Sequence, residues 1–99
     1  MARVIHSAEA VGDLDRLIDF LLEESPESAS DAVEAILDAL GMLARHPLVG
    51  RRVEGEIREL VISRGATGYL ALYRFHPPTD TVRVLRIRHQ REGGYADSP

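Results

Sequence analysis

The dipeptide Ser25-Pro26, set between two segments of helical periodicity, constrains this chain most tightly. Proline suits the first position of a helix, where no amide bond is lost, and serine suits the position before it. One helix therefore ends and another begins with almost no link between them. Two helices so joined are antiparallel neighbours. The first is expected from Ser7, whose hydroxyl can cap an orphan amide of the opening turn, to about Glu24. Its apolar residues Val11, Leu14, Leu17, Ile18, Leu21 and Leu22 fall within an arc of roughly 140°, a core-facing stripe. Phe20 lies outside that arc. The second is expected to run from Pro26 to about Arg45, with Ala29, Val33, Ile36, Leu40, Leu43 and Ala44 on one face. Leu37 sits at the edge of that stripe and Met42 nearly opposite it. Pro47 stops the helix.

After the hairpin the periodicity changes. Arg3 to His6 reads as a short N-terminal edge strand, and His46 to Glu56 as a loop. Three strands are expected at Ile57–Ser63, Gly68–His76 and Thr81–His89, separated by Gly65-Ala66-Thr67-Gly68 and by Pro77-Pro78-Thr79-Asp80. Short links between consecutive strands give an antiparallel meander. Alternation fails at Leu85-Arg86, where a bulge is expected. Gly93 to Pro99 is expected to be a frayed tail. The fold class is thus α+β, a helical hairpin packed on a three- to four-stranded antiparallel sheet. Residues 1–99 are read as one domain.

Charge divides the chain at the same place. Residues 1–44 hold ten acids and two arginines, a net of −8. Residues 45–99 hold ten arginines and six acids, a net of +4. There is no lysine, so every fixed side-chain cation can form a bidentate contact to carboxylate or phosphate. The basic half can face nucleic acid or an acidic protein, or can simply be a solvated sheet face. There are no cysteines, which excludes disulfides and thiolate metal sites. His6, His46, His76 and His89 have no metal-binding spacing, and no cofactor is expected. No apolar run approaches the roughly 20 residues of a membrane span, and the N-terminus lacks a secretory stretch. A cytoplasmic location without a membrane partner is expected.

The concentrated feature is Arg83-Val84-Leu85-Arg86-Ile87-Arg88-His89-Gln90-Arg91. In an extended chain His89 and Arg91 share one face, while Arg86, Arg88 and Gln90 share the other unless the bulge intervenes. Arg74 on the neighbouring strand can join one of these rows. A histidine beside arginines can serve as general acid or base while the arginines stabilise phosphate charge. The same residues can also simply end a strand. Paired carboxylates occur only on the helices, where solvation accounts for them.

These residues also carry a resemblance. The chain resembles the RelE/ParE superfamily of bacterial type II toxins over nearly its whole length. The matching landmarks are Ser7-Ala8-Glu9-Ala10 with Asp13-Leu14, Leu43 through Arg51, Ile57-Arg58-Glu59-Leu60, Gly68-Tyr69, Leu72-Tyr73-Arg74, and Val84 through Arg91. RelE-like members are ribosome-dependent mRNA interferases that use basic residues along the sheet and a C-terminal tyrosine. This chain departs from them: Leu70 stands in place of an arginine, Val61 and Ser63 in place of lysines, and His89 in place of an arginine. Only Tyr95 matches the tyrosine. YoeB-like members use a histidine near the C-terminus, as His89 could be. The ending Leu85-Arg86-Ile87-Arg88-His89-Gln90-Arg91 is more similar to ParE-like members, which poison DNA gyrase. That branch implies no catalytic residues, with Arg74, Arg86, Arg88, His89, Gln90 and Arg91 meeting the target. The interferase branch implies His89 as acid or base, Arg58, Arg74 and Arg91 on phosphate, and Tyr95 orienting the nucleophile. Its partners would be the ribosome and mRNA. A third alternative is a degenerate, non-toxic module that retains antitoxin binding. Every branch implies a cognate ParD-like antitoxin, with operator DNA reached only through it. Phe20, Leu37 and Met42, off the core stripes, are the expected antitoxin anchors.

Overall fold

The computed structural model describes residues 1–62 and 68–90. The elements run β1 (Arg3–His6), α1 (Ala8–Glu24), α2 (Pro26–Met42), β2 (Arg51–Glu54), β3 (Ile57–Val61), β4 (Tyr69–His76) and β5 (Thr81–His89). Ser7 caps α1, its Oγ accepting from Ala10 N at 3.0 Å. Ser25 alone links the helices, with Pro26 opening α2, and α2 folds back on α1. Three residues past Met42 keep a tightened turn instead of α-helix. The amides of Leu43, Ala44 and Arg45 bond to the carbonyls three residues back, at 3.0–3.1 Å. That turn still buries Leu43 completely.

The sheet has order β1-β5-β4-β3-β2. It is mixed, because β1 pairs parallel with β5 while the other pairs are antiparallel. The expected three- to four-stranded antiparallel sheet is therefore extended to five strands. The added strand is β2, which falls inside the expected loop. Its four residues are all exposed. A strand with no buried face leaves no hydrophobic alternation in the sequence. Gly55, at φ 54°, turns the chain from β2 into β3. β1 is the opposite edge, as expected, and β5 spans the residues expected of it.

One core joins the layers. Leu17, Ile36, Leu40 and Leu43 meet Leu60, Ala71, Tyr73, Val82, Val84 and Ile87. Tyr73 is wholly buried, and its hydroxyl accepts from Gly50 N at 2.8 Å. Gly50 is required there. A Cβ would stand 2.7 Å from Tyr73 Cε1 and 2.8 Å from the Glu59 carbonyl oxygen. Burial pushes the Tyr73 hydroxyl above the ordinary tyrosine range, with the Gly50 amide and the Arg58 charge acting the other way. The buried stripe of α1 is rotated from the expected one. Val11 and Leu22 are 48% and 51% exposed, whereas Ala10 and Asp13 are buried. No described helix is long and apolar enough to cross a membrane.

Candidate functional site

The second half of β5 is built by α1. β1 pairs with β5 only as far as Val84, which leaves the later backbone groups on that edge to be capped otherwise. Ser7 N donates to the Val84 carbonyl at 2.9 Å, and Ser7 Oγ donates to the Leu85 carbonyl at 2.9 Å. Asp13 takes the next position. Its Oδ2 accepts from Ile87 N at 2.9 Å and from Arg86 Nε at 2.8 Å, and its Oδ1 accepts from Arg86 Nη2 at 3.1 Å. A fork-to-fork pair of this kind fixes geometry as well as charge. Asp13 is 4% exposed, so solvation does not account for this carboxylate. Its place on the helix was the available signal, since it lies between Ala10 and Leu17 on the buried face.

The expected bulge is present. Leu72 pairs with Arg86 and Tyr73 with Val84, leaving Leu85 extra. The extra residue shifts the alternation. Val82, Val84 and Ile87 face the helices, and His89 follows Ile87 to that side. His89 stands edge-on to Tyr69, ring centroids 5.3 Å apart at 90°. Burial raises the Tyr69 hydroxyl above its ordinary range. Both rings border a cleft of about 940 Å³ between the helices and this end of the sheet. Leu17, Phe20, Leu21, Ala32, Ala35 and Ile62 supply its apolar wall. Arg88 and Gln90 lie on the opposite face, around a hollow of about 490 Å³ with Arg51, Glu59, Val61 and Leu70. Arg51 Nη2 pairs there with Glu59 Oε1 at 3.2 Å.

The other candidate residues are dispersed. Arg58 Nη1 donates to the carbonyls of Leu48 at 3.1 Å and Gly50 at 2.8 Å, which holds the loop over Tyr73. Arg74 pairs with Glu56 at 3.5 Å and sits opposite Arg83. Leu70, the partner of Arg88, is four residues from Arg74 along β4, or about 13 Å. Arg91 and Tyr95 lie outside the described residues, as does the tail 93–99. Phe20, Leu37 and Met42 are 48%, 47% and 37% exposed, but only Phe20 borders the cleft. Among the described residues no group of three or more histidine and acidic side chains could hold a metal ion.

This architecture has known counterparts. A chain in a structure described as the chromosomal ParDE toxin–antitoxin system from P. aeruginosa superposes with a TM-score of 0.74 at 26% identity, covering 90% of this chain and 96% of that one. The intact E. coli RelBE complex shares the fold, with a TM-score of 0.66 at 12% identity over 93% of this chain and 100% of that one. In sequence the chain is 42% identical over 80 residues to Toxin RelE3 of Caulobacter vibrioides, spanning 81% of this chain and 85% of that protein. The fold is thus that of the RelE/ParE superfamily of type II toxins. A family model described as the ParE toxin of the type II toxin–antitoxin system parDE matches residues 4–93, and the chain belongs to that family.

Proposed function

We propose that this toxin acts in the ParE manner, inhibiting DNA gyrase by protein binding, and is neutralised by a cognate antitoxin. The dispersal of the candidate catalytic groups among the described residues carries this reading. His89 faces the helix side, Arg58 is tied to two loop carbonyls, and Arg74 pairs with Glu56 at the far end of the sheet. General acid–base chemistry on RNA needs such groups within hydrogen-bond reach of one phosphate. Protein recognition needs only a surface. Arg88 and Gln90, with Arg51 beside them, supply one on the outer face. The ParE family match and the ParDE structural neighbour support the same reading. The RelE name of the curated relative favours the interferase alternative. Induced expression without antitoxin separates the two. Growth arrest with relaxation of a reporter plasmid is expected. Arrest with a supercoiled plasmid and cleaved ribosome-bound mRNA would select the interferase, and in that case His89→Gln should abolish toxicity. Growth without arrest would leave only antitoxin binding.

A further inference from the structure

The hollow on the outer face has at its β2 side an arginine held unlike its neighbours. Arg86 is gripped by Asp13, Arg58 by the carbonyls of Leu48 and Gly50, and Arg52 spends both Nε and Nη2 on the Gly55 carbonyl, at 3.1 and 2.9 Å. The Arg51 side chain is 74% exposed, yet its Nη2 is tethered at 3.2 Å to Glu59 Oε1, on a side chain only 10% exposed. Two exposed ions hold each other loosely. Here one partner is fixed within the sheet, so it fixes the other. A guanidinium has five N–H donors. Arg51 uses one of them on Glu59 and makes no other bond among the described residues. The next rung of the same face sets Val61, Leu70 and Arg88 side by side. The hollow of about 490 Å³ thus joins a tethered guanidinium, an apolar floor and a second arginine.

Among the described residues lining this hollow, two arginines face one carboxylate, so it favours an anion. The floor says which kind. Val61 is 42% exposed beside Leu70. A nucleic-acid phosphate has no aliphatic stem to lay on it, whereas a glutamate side chain among aliphatic neighbours does. We propose that the Arg51–Glu59 pair is a pre-positioned receptor for a carboxylate side chain of the target protein, with Arg51 as the contact residue and Glu59 as its positioning residue. This rests on the reading of the toxin as an inhibitor that works by protein binding, and it adds the chemistry of the epitope. A diffuse field and a fixed fork predict opposite results for Glu59→Gln. Removing a negative charge strengthens attraction by the field. It also frees Arg51, which weakens a contact made by the fork.

Two measurements test it together. In a gyrase supercoiling assay, Arg51→Lys keeps the charge at an exposed site and should raise the half-inhibitory concentration about tenfold. Glu59→Gln should raise it as well, although it makes the face more positive. Circular dichroism melting checks that each variant is folded, and Arg51→Lys decides alone if Glu59→Gln is not. In an NMR titration without gyrase, a blocked pentapeptide with glutamate between two valines should shift the Arg51 Nε–H signal and the Val61 and Leu70 methyl signals. Its glutamine twin should not. Inhibition by Arg51→Lys equal to that of the parent, or tighter inhibition by Glu59→Gln, would overturn the receptor while leaving the gyrase reading intact. Equal shifts by the twin peptides would overturn it too. So would Arg51-dependent binding of duplex DNA by the toxin alone, since phosphate would then be the ligand. If gyrase is untouched but the glutamate peptide binds selectively, the target assignment fails and the receptor stands.

Discussion

Replacing Asp13 by alanine should remove a large part of the stability of this domain. The carboxylate is 4% exposed and makes three bonds, two to Arg86 and one to Ile87 N. Breaking a buried pair on one side costs about 3–5 kcal/mol when the remaining charge cannot reach water. The Arg86 side chain is 20% exposed and can turn outward, so the charge contribution falls to about 1–2 kcal/mol. The orphaned Ile87 amide adds about 1–2 kcal/mol, because no strand covers that edge of β5. The sum is about 3 kcal/mol, against a total of about 5–15 kcal/mol for a domain of ordinary stability. Urea unfolding followed by circular dichroism reads it directly. With a slope of about 1.2 kcal/mol per molar, the midpoint should fall by roughly 2.5 M. Asp13→Asn keeps an acceptor and should lose about half as much. Arg86→Ala should also destabilise, by stranding the carboxylate. The double variant should lose less than the sum of the singles, with a coupling of about 1–2 kcal/mol. A loss below about 1 kcal/mol for Asp13→Ala, or strict additivity in the double variant, would refute the role assigned to the pair.

Other consequences follow from the Tyr73 site. Tyr73→Phe leaves the Gly50 amide without its acceptor and should cost about 1–3 kcal/mol, or a drop of roughly 4–20 °C in the melting temperature. Gly50→Ala should cost about 1–3 kcal/mol by overpacking against Tyr73 Cε1 and the Glu59 carbonyl oxygen, contacts that Tyr73→Phe keeps; a melting temperature lowered by less than about 2 °C would contradict this close approach. Tyr69 and Tyr73 hold their protons more tightly when folded than when unfolded. Their contribution is therefore complete below the ordinary tyrosine value near 10 and is lost as pH rises through it toward the folded values. Stability measured from pH 9 to 11 should fall more steeply for the parent than for Tyr73→Phe, and parallel curves would contradict this.

The hairpin was legible because its punctuation is local. Ser7, Ser25-Pro26 and Pro47 act on their own neighbours, and those are the places where the helices begin, turn and give way. β5 was legible too, including its bulge, because inward valines alternate with arginines until Leu85 breaks the pattern. β2 left no such trace, since Arg51-Arg52-Val53-Glu54 buries nothing. The parallel pairing of β1 with β5 depends on residues at opposite ends of the chain, which no local pattern encodes. Nothing in the local pattern sets the role of Asp13 apart from that of the solvated helix acids. Its partner lies 73 residues away, and the carboxylate's burial depends on β1 ending at His6. The candidate site was legible as a strand but not as a surface. Alternation separates His89 from Arg88 and Gln90. Only the folded contacts show that Arg86 is engaged by α1, Arg58 by the loop before β2, and Arg74 by Glu56.

The most direct measurement is a gyrase supercoiling titration with the purified protein, run beside its His89→Gln and Arg88→Glu/Gln90→Ala variants. Protein recognition by the outer face of β5 predicts inhibition by the parent protein, inhibition by His89→Gln of similar strength, and at least a tenfold weaker effect from the outer-face double variant. Unchanged supercoiling with the parent protein, accompanied by His89-dependent cleavage of ribosome-bound mRNA, would contradict it.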